Sequence, residues 1–341
     1  MTGDGAALLA AIRDGDKASF GSLAEGYRRQ LHVHCYRMVG SFDDAEDLVQ
    51  ETLLRAWRGR AAFEGRASFK NWLYRIATNA CLNFLERTPR RVTAPDVAPP
   101  TADPTTQPRW APELPWIQPY PDQLLEAAAP AEAEPESVAI ARETIELVYL
   151  AAIQHLPLKQ RAVLILCDAL DWSAAECAEL LDITVPAVNS ALHRARTTMR
   201  AALPREPEQA GKRTAPSAEE MAVLQKFMDA FERADANAVS ALLREDARLT
   251  MPPALMWFDG REAMLGLYRQ LLGPDRFGDF RMVPVAANRQ PAAVAYLRAR
   301  GKAEYRLAGL NVIRVEDGRI AEVTSFRPDL CRAFQLPTRL S

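Results

Sequence analysis

Half of this chain's prolines stand in one stretch, residues 88–135, which holds 12 of the 24. Proline fixes φ and donates no backbone hydrogen bond, so neither a helix interior nor a central strand can run through such a stretch. A chain of 341 residues cut in this way reads as two or three domains rather than one continuous core. The cut also carries charge. Counting Lys+Arg against Asp+Glu, residues 92–136 give 1 − 8 = −7, against 14 − 11 = +3 for 1–91, 7 − 7 = 0 for 137–205 and 20 − 18 = +2 for 206–341. The overall −2 hides this. An acidic segment separates regions that carry local basic clusters, and local clusters are what a nucleic-acid partner reads.

Other classes are excluded early. No long uncharged apolar run is present, so no membrane-spanning helix is expected. The first 20 residues carry Asp4, Arg13, Asp14, Asp16 and Lys17 and do not resemble a signal peptide. The five cysteines are scattered and form no CxxC, which fits a reduced cytoplasm with thiols as core fillers. His32, His34 and Cys35 are close in sequence, but positions two apart on a helix do not share a face. No metal and no cofactor is expected.

Residues 6–40 read as helices, with Ala7, Leu8, Ala11 and Ile12 opening the first and Phe20, Leu23, Ala24 and Tyr27 the second. A third stretch, Leu31 to Val39, runs to Gly40, which suits a helix end. The segment DDAEDLVQETLLRAW follows. Ala45, Leu48, Val49, Thr52, Leu53, Ala56 and Trp57 recur at helical spacing, with Ser41 or Asp43 as cap. Opposite that stripe lie Asp47, Gln50, Glu51 and Leu54, a leucine among polar and acidic residues. Periodicity leaves two readings even: a solvated acidic face with a stray leucine, or a docking face.

Next come a glycine-bearing loop, Phe63 to Phe69, and a helix to about Arg87. Its buried stripe is Phe69, Trp72, Leu73, Ile76, Ala77, Ala80 and Phe84. Asn71, Arg75, Asn79 and Asn83 lie off the stripe, and Arg87, Arg90 and Arg91 close the segment. Asparagine amides pair with base edges and arginines hold phosphates, although the aromatics fit a core at least as well.

The acidic linker carries Trp110, Trp116 and Tyr120, unusual for a purely flexible connector. Beyond it, Ser173-Ala174-Ala175-Glu176 is a capping box opening one helix. Leu181-Asp182-Ile183-Thr184 makes a tight turn, and Thr184 caps the next helix with Pro186 in its first turn. This is a helix-turn-helix pattern in which Asp182 stands where glycine is more usual. Thr184, Ala187, Asn189, Ser190, His193, Arg194, Arg196 and Arg200 lie on its open side, and no acid falls between Ile183 and Met199. A helix that basic is a DNA footprint; the plainer alternative is a basic hairpin that binds protein.

After a polar linker, 206–216, Ser217-Ala218-Glu219-Glu220 opens another capped helix. Helices are expected over Asp235–Arg244 and Gly260–Leu272. Strands are expected over Arg248–Met251, Phe280–Ala286, Ala292–Arg300, Glu304–Val315 and Ile320–Phe326, with Asp317-Gly318 as a tight hairpin. The expected fold is therefore multidomain: two all-α domains followed by an α+β domain, divided as 1–91, 92–136, 137–205, 206–216 and 217–335.

Three of these stretches resemble known families. DDAEDLVQETLLRAW and FEGRASFKNWLYRIATNACLNFLERTPRR resemble region 2 of the extracytoplasmic-function (ECF) group of bacterial sigma factors. HLPLKQRAVLIL, with LDWSAAECAELLDITVPAVNSALHRARTTMRAAL, resembles their region 4. The departure is Trp172-Ser173-Ala174-Ala175, where the family more often has an apolar residue after the cap.

The resemblance implies core RNA polymerase and promoter DNA as partners. Asp47, Gln50, Glu51 and Leu54 would dock on the beta-prime coiled-coil, and region 4 would meet the beta flap. Phe63, Arg66, Ser68, Phe69, Asn71, Arg75, Asn79 and Asn83 would read the minus-ten element. Thr184, Ala187, Asn189, Ser190, His193, Arg194 and Arg196 would read the minus-thirty-five element. An anti-sigma factor would be a further partner. The aromatic linker then has two readings, docking on a neighbouring domain or threading the polymerase channel as a nucleic-acid mimic.

The C-terminal part resembles the SnoaL-like (NTF2-like) cone fold, including Met251-Pro252-Pro253 and the segment Trp257 to Ala263. That implies a pocket for a small ligand, lined by Met251, Trp257, Tyr268, Tyr296, Tyr305 and Phe326, each of which also suits a plain core. All four histidines precede residue 200, so a general base there would have to be a carboxylate such as Asp246, Asp259 or Asp279. A sigma factor tuned by its C-terminal domain and without catalysis is the expectation. The alternatives are a ligand-sensing DNA-binding regulator that needs no polymerase, or a SnoaL-like enzyme fused to a DNA-binding region.

Overall fold

The computed structural model describes residues 15–63, 68–126, 145–203 and 215–340. They fall into two compact units, one from residues 1–90 and 124–212 and one from 91–123 and 213–341.

The first unit is helical. Helix α1 (Lys17–Val39) starts on Asp16, whose carboxylate accepts from the Ala18 amide at 2.9 Å, and stops at Gly40 in the left-handed region, φ 68°. It is one unbroken helix where two stretches were expected. Gly21 and Gly26 lie on its open side with nothing within 4 Å, and a glycine inside a long helix costs only about 1 kcal/mol. The expected helix at residues 7–12 falls outside the described residues.

Helix α2 (Phe42–Gly59) is capped by Ser41, which accepts from the Asp44 amide. Helix α3 (Phe69–Arg87) is capped by Ser68, which accepts from the Asn71 amide. On α3 the expected Phe69, Leu73, Ala77 and Ala80 are buried, and so are Tyr74, Thr78, Cys81 and Leu85; Trp72, Ile76 and Phe84 are half-buried. The covered arc is wider than the stripe because helix α5 lies against α3 in addition to α1 and α2.

Helix α4 (Leu147–Ile153) and α5 (Leu158–Leu164) follow, and α5 runs into one π-helical turn over Ile165–Ala169. Helix α6 (Ala174–Leu181) carries the expected Ser173–Glu176 capping box and ends at Asp182, φ 53° and ψ 52°. Helix α7 (Val185–Ala202) begins on Thr184. Val188, Ala191, Ala195 and Met199 are its buried face.

Arg161 joins the two halves of this unit. It is 1% exposed, donates to Met38 O at 2.8 Å at the end of α1, and donates to Gln154 Oε1 and O at 2.9 Å each. Its acceptors are neutral, and burial lowers its pKa to about 10.

In the second unit, α8 (Ala218–Glu232) carries the Ser217–Glu220 capping box and α9 (Ala236–Ala241) follows. Strand β1 (Leu243–Thr250) begins where the sequence suggests helix, because Leu243, Ala247 and Leu249 turn inward from an extended backbone. Strand β2 (Trp257–Asp259), helix α10 (Arg261–Leu272), and strands β3 (Gly278–Ala287), β4 (Gln290–Ala299), β5 (Tyr305–Glu316), β6 (Arg319–Phe326) and β7 (Arg339–Leu340) complete it. The sheet order is β2-β1-β6-β5-β4-β3, with β7 on β5. It is a meander from β3 to β6 that β1 joins in parallel, Leu249 opposite Val323. Asp317-Gly318 forms the expected two-residue hairpin with both φ positive. Asn288 and Arg289 form another without a glycine, φ 56° and 58°.

Residues 91–123 of the proline-rich segment belong to this second unit. The composition of the whole segment argues against regular structure, yet it makes short helical turns at Ala94–Val97, where the Asp96 carboxylate accepts from Thr93 N and Oγ1, and at Asp122–Glu126. Pro95 is tolerated there because a first-turn donor has no partner to lose. The segment lies along the cone domain. Thr101 N donates to Trp257 O, Ala111 N to Pro253 O, and Leu255 N to Arg109 O, at 2.7–2.9 Å. Trp116 and Trp257 share an apolar cluster with Ala94 and Ala111, and Trp257 Nε1 donates to Ala98 O at 2.8 Å. At its end, Tyr120 exchanges hydrogen bonds with Asn288, and Arg289 N donates to Asp122 Oδ1. The strained hairpin is thus braced by the linker.

Candidate docking and nucleic-acid interface

On α2, Ala45, Leu48, Val49, Thr52 and Ala56 are buried. Asp47, Gln50 and Leu54 are exposed on the other side, Leu54 at 42%. Neighbours partly occupy this face: Gln50 donates to Glu46 at 3.3 Å, and Arg55 pairs with Glu51 at 2.6 Å. Such exposed pairs contribute little to stability and part easily. An exposed leucine ringed by carboxylates can accept a partner that offers an apolar contact among cations.

Of the residues proposed to read one DNA element, Phe63 and Phe69 are buried. Their ring centroids lie 5.9 Å apart, Phe63 is 4.9 Å from Trp72, and Phe20 is 5.2 Å from Trp57 and 6.2 Å from Phe69. This aromatic cluster is the floor beneath the start of α3. Arg66 lies outside the described residues. Arg75, Asn79 and Asn83 are exposed at four-residue spacing, one row along α3, with half-buried Asn71 at its head. Asn71 is already engaged, since its Nδ2 donates to Glu176 Oε1 at 3.3 Å. Glu176 also accepts from Ser173, and these bonds hold its carboxyl below the usual range. Beside this contact the Tyr74 and Trp172 rings sit 5.8 Å apart. The helix-turn-helix therefore packs on the helix that carries the asparagine row.

On α7, Thr184, Ala187, Asn189, Ser190, His193, Arg194 and Arg196 are all exposed, and Val188, Ala191 and Ala195 face inward. Thr184 accepts from the Ala187 amide at 3.3 Å, so its hydroxyl serves the helix end. Arg196 is held back by a two-point pair with Asp168, at 2.6 and 3.1 Å. Sequence reasoning missed Arg161, Asp168 and Glu176 as partners. The S-x-x-E box accounts for Glu176 as a cap, but its second partner lies 105 residues away.

The six expected pocket residues are spread over several surroundings. Met251 and Tyr268 pack in the main core of the second unit, and the Tyr268 hydroxyl is buried without a hydrogen-bond partner. Trp257 faces the linker. The Tyr296 hydroxyl donates to Pro337 O at 3.0 Å, Tyr305 lies under the Arg298 guanidinium, and Phe326 is buried opposite Leu310. Asp246 is bonded to Arg244, and Asp279 to Arg298 and Arg276. Both carboxyls are held below their ordinary range, opposite to what a general base needs. Asp259 lies 3.8 Å from Arg248.

His34 is buried with Nε2 2.9 Å from Thr78 Oγ1, and burial lowers its pKa to about 3. Among the described residues no cluster of His, Cys, Asp or Glu could hold a metal ion. No helix of those residues is long and apolar enough to cross a membrane.

Three family models match: Sigma-70 region 2 over residues 23–91, Sigma-70 region 4 over 146–199, and a SnoaL-like domain over 224–323. The chain is 38% identical over 328 residues to the ECF RNA polymerase sigma factor SigG of Mycobacterium tuberculosis, covering 96% of this chain and 86% of that one. It is 31% identical over 194 residues to the ECF sigma factor SigM of the same organism, covering 57% and 82%. The crystal structure of the M. tuberculosis ECF sigma factor SigJ matches over 92% of this chain and 98% of that one, with a TM-score of 0.57 and 19% identity, a likeness of fold.

Proposed function

The chain belongs to the ECF RNA polymerase sigma factors, and from that premise we propose how it docks, reads DNA and is restrained. It directs core RNA polymerase to specific promoters. The docking face for the core enzyme is Asp47, Gln50, Glu51 and Leu54. The observation that carries this is the exposed Leu54 on a helix whose opposite face is buried at Ala45, Leu48, Val49, Thr52 and Ala56 and half-buried at Leu53 and Trp57.

Asn71, Arg75, Asn79 and Asn83, above the Phe63–Phe69 floor, read the minus-ten element. The open face of α7 from Thr184 to Arg196 reads the minus-thirty-five element. Asn71 and Arg196 are held by Glu176 and Asp168 in the described form. Base contact by Asn71 therefore requires the helix-turn-helix to part from α3, and DNA contact by Arg196 requires its own pair with Asp168 to open. The chain works in the cytoplasm and catalyses no reaction of its own.

The C-terminal domain modulates activity by holding the linker. Residues 91–123 lie along the cone, so the same residues cannot at that moment thread a polymerase channel. The buried Trp116 and the backbone bonds to Pro253 and Trp257 support this reading.

The test is Asp47→Arg with Glu51→Arg in the full chain. Core-polymerase binding measured by co-purification should fall at least tenfold while binding to duplex DNA stays within twofold. Unchanged core binding would favour the alternative of a DNA-binding regulator that acts without polymerase.

A further inference from the structure

Two of the five cysteines sit where they can react with each other. Cys167 Sγ lies 3.4 Å from Cys177 Sγ. Cys167 is half-buried in the π-helical turn after α5, and Cys177 is buried on α6. A disulfide has S–S near 2.05 Å, so the sulfurs need to approach by only about 1.4 Å. The segment between them carries Trp172 and Asp168, and Glu176 is next to Cys177. Within this segment Trp172 and Glu176 touch α3, and Asp168 holds Arg196.

We propose that Cys167 and Cys177 are a hydroperoxide-responsive dithiol whose disulfide staples the helix-turn-helix in the form that keeps Asn71 and Arg196 engaged. The consequence for transcription rests on the promoter-reading assignment above; formation of the disulfide does not.

Cys167 is the attacking sulfur. It is the more accessible of the two. The bond from the Cys177 thiol, helped by Arg196, lowers its pKa against the opposing effects of burial and Asp168, while the Cys177 thiol is pushed up. The Cys167 thiolate attacks one oxygen of the hydroperoxide, the O–O bond breaks, and a sulfenic acid forms as hydroxide (or alkoxide) leaves. The Cys177 sulfur then attacks the sulfenic sulfur, the S–S bond forms, and water leaves with the Cys177 proton. Two thiols lose two electrons and the hydroperoxide gains them. Cys35 and Cys81 form a contrasting pair: both are fully buried, they bond to each other, and burial raises the Cys81 thiol far above its usual range. They should stay reduced.

The test uses the full chain treated with stoichiometric hydrogen peroxide. Cleavage at acidic residues and mass mapping should show Cys167 joined to Cys177, with Cys35 and Cys81 still alkylatable after denaturation. The oxidised chain should bind core polymerase or duplex DNA at least fivefold more weakly, and dithiothreitol should restore binding. Cys167→Ser, at the half-exposed position, should bind as the reduced chain does and lose its peroxide response. Free thiols at both positions after treatment overturn the proposal. A Cys167–Cys177 disulfide with unchanged binding keeps the modification site and overturns its role as a staple.

Discussion

Replacing Trp116 by alanine separates linker docking from the stability of the cone. Trp116 is 2% exposed, packs with Ala94, Ala111 and Trp257, and donates through Nε1 to Ala111 O at 2.7 Å. A buried tryptophan removes about 150–250 Å² from water, worth roughly 4–6 kcal/mol at 25 cal/mol per Å². Measured truncations of this kind cost about 3–5 kcal/mol. The docked segment keeps its backbone bonds to Trp257, Pro253 and Asn288, so some docking remains. A loss of about 3 kcal/mol raises the open population by more than a hundredfold, since each 1.4 kcal/mol is a factor of ten. Hydrogen exchange in the native chain reads this directly. The amides of Thr101 and Ala111 should exchange at least a hundredfold faster, while those of β4 and β5 change less than threefold. Equal acceleration in both places, or none in the linker, would refute the view that the linker is a separable strap held by its tryptophan. Under the modulation proposed here, the same variant should also raise transcription by core polymerase.

Arg161→Met removes hydrogen bonds to Met38 O, Gln154 Oε1 and Gln154 O from a buried site without a carboxylate partner. The expected loss is about 2–4 kcal/mol of first-unit stability by urea unfolding, with the second unit unaffected. The acid limb of stability should follow His34. Its folded pKa of about 3 lies below the ordinary 6.5, so its contribution is full above pH 6.5. It declines by up to about 1.4 kcal/mol per pH unit below that and is gone by about pH 3. His34→Gln should flatten this limb in urea titrations between pH 6.5 and 4, and an unchanged slope would reject His34 as its source.

Much of the first unit was legible because its signals are local. Ser41, Ser68, Ser173 and Thr184 each cap the helix that follows, and a cap needs only the next three residues. Asp182 takes the left-handed conformation expected of the turn. The exposed row from Thr184 to Arg196 and the exposed Leu54 follow from a period of 3.6 residues. The wider burial on α3 was not legible, because one of its covering helices, α5, arrives from more than 70 residues further along.

By itself, the sequence determined where the capped helices α2, α6, α7 and α8 start, which faces are apolar, the Asp317-Gly318 hairpin, and the order of acidic and basic segments. Tertiary structure alone decided what those faces meet. Nothing local says that Asn71 bonds Glu176, that Arg196 is held by Asp168, that Cys167 lies against Cys177, or that the aromatic linker folds with the cone. The physical reason is range. Capping and periodicity are settled within a turn or two of chain, whereas a partner for a buried tryptophan or a half-exposed amide is chosen by whichever distant surface closes over it.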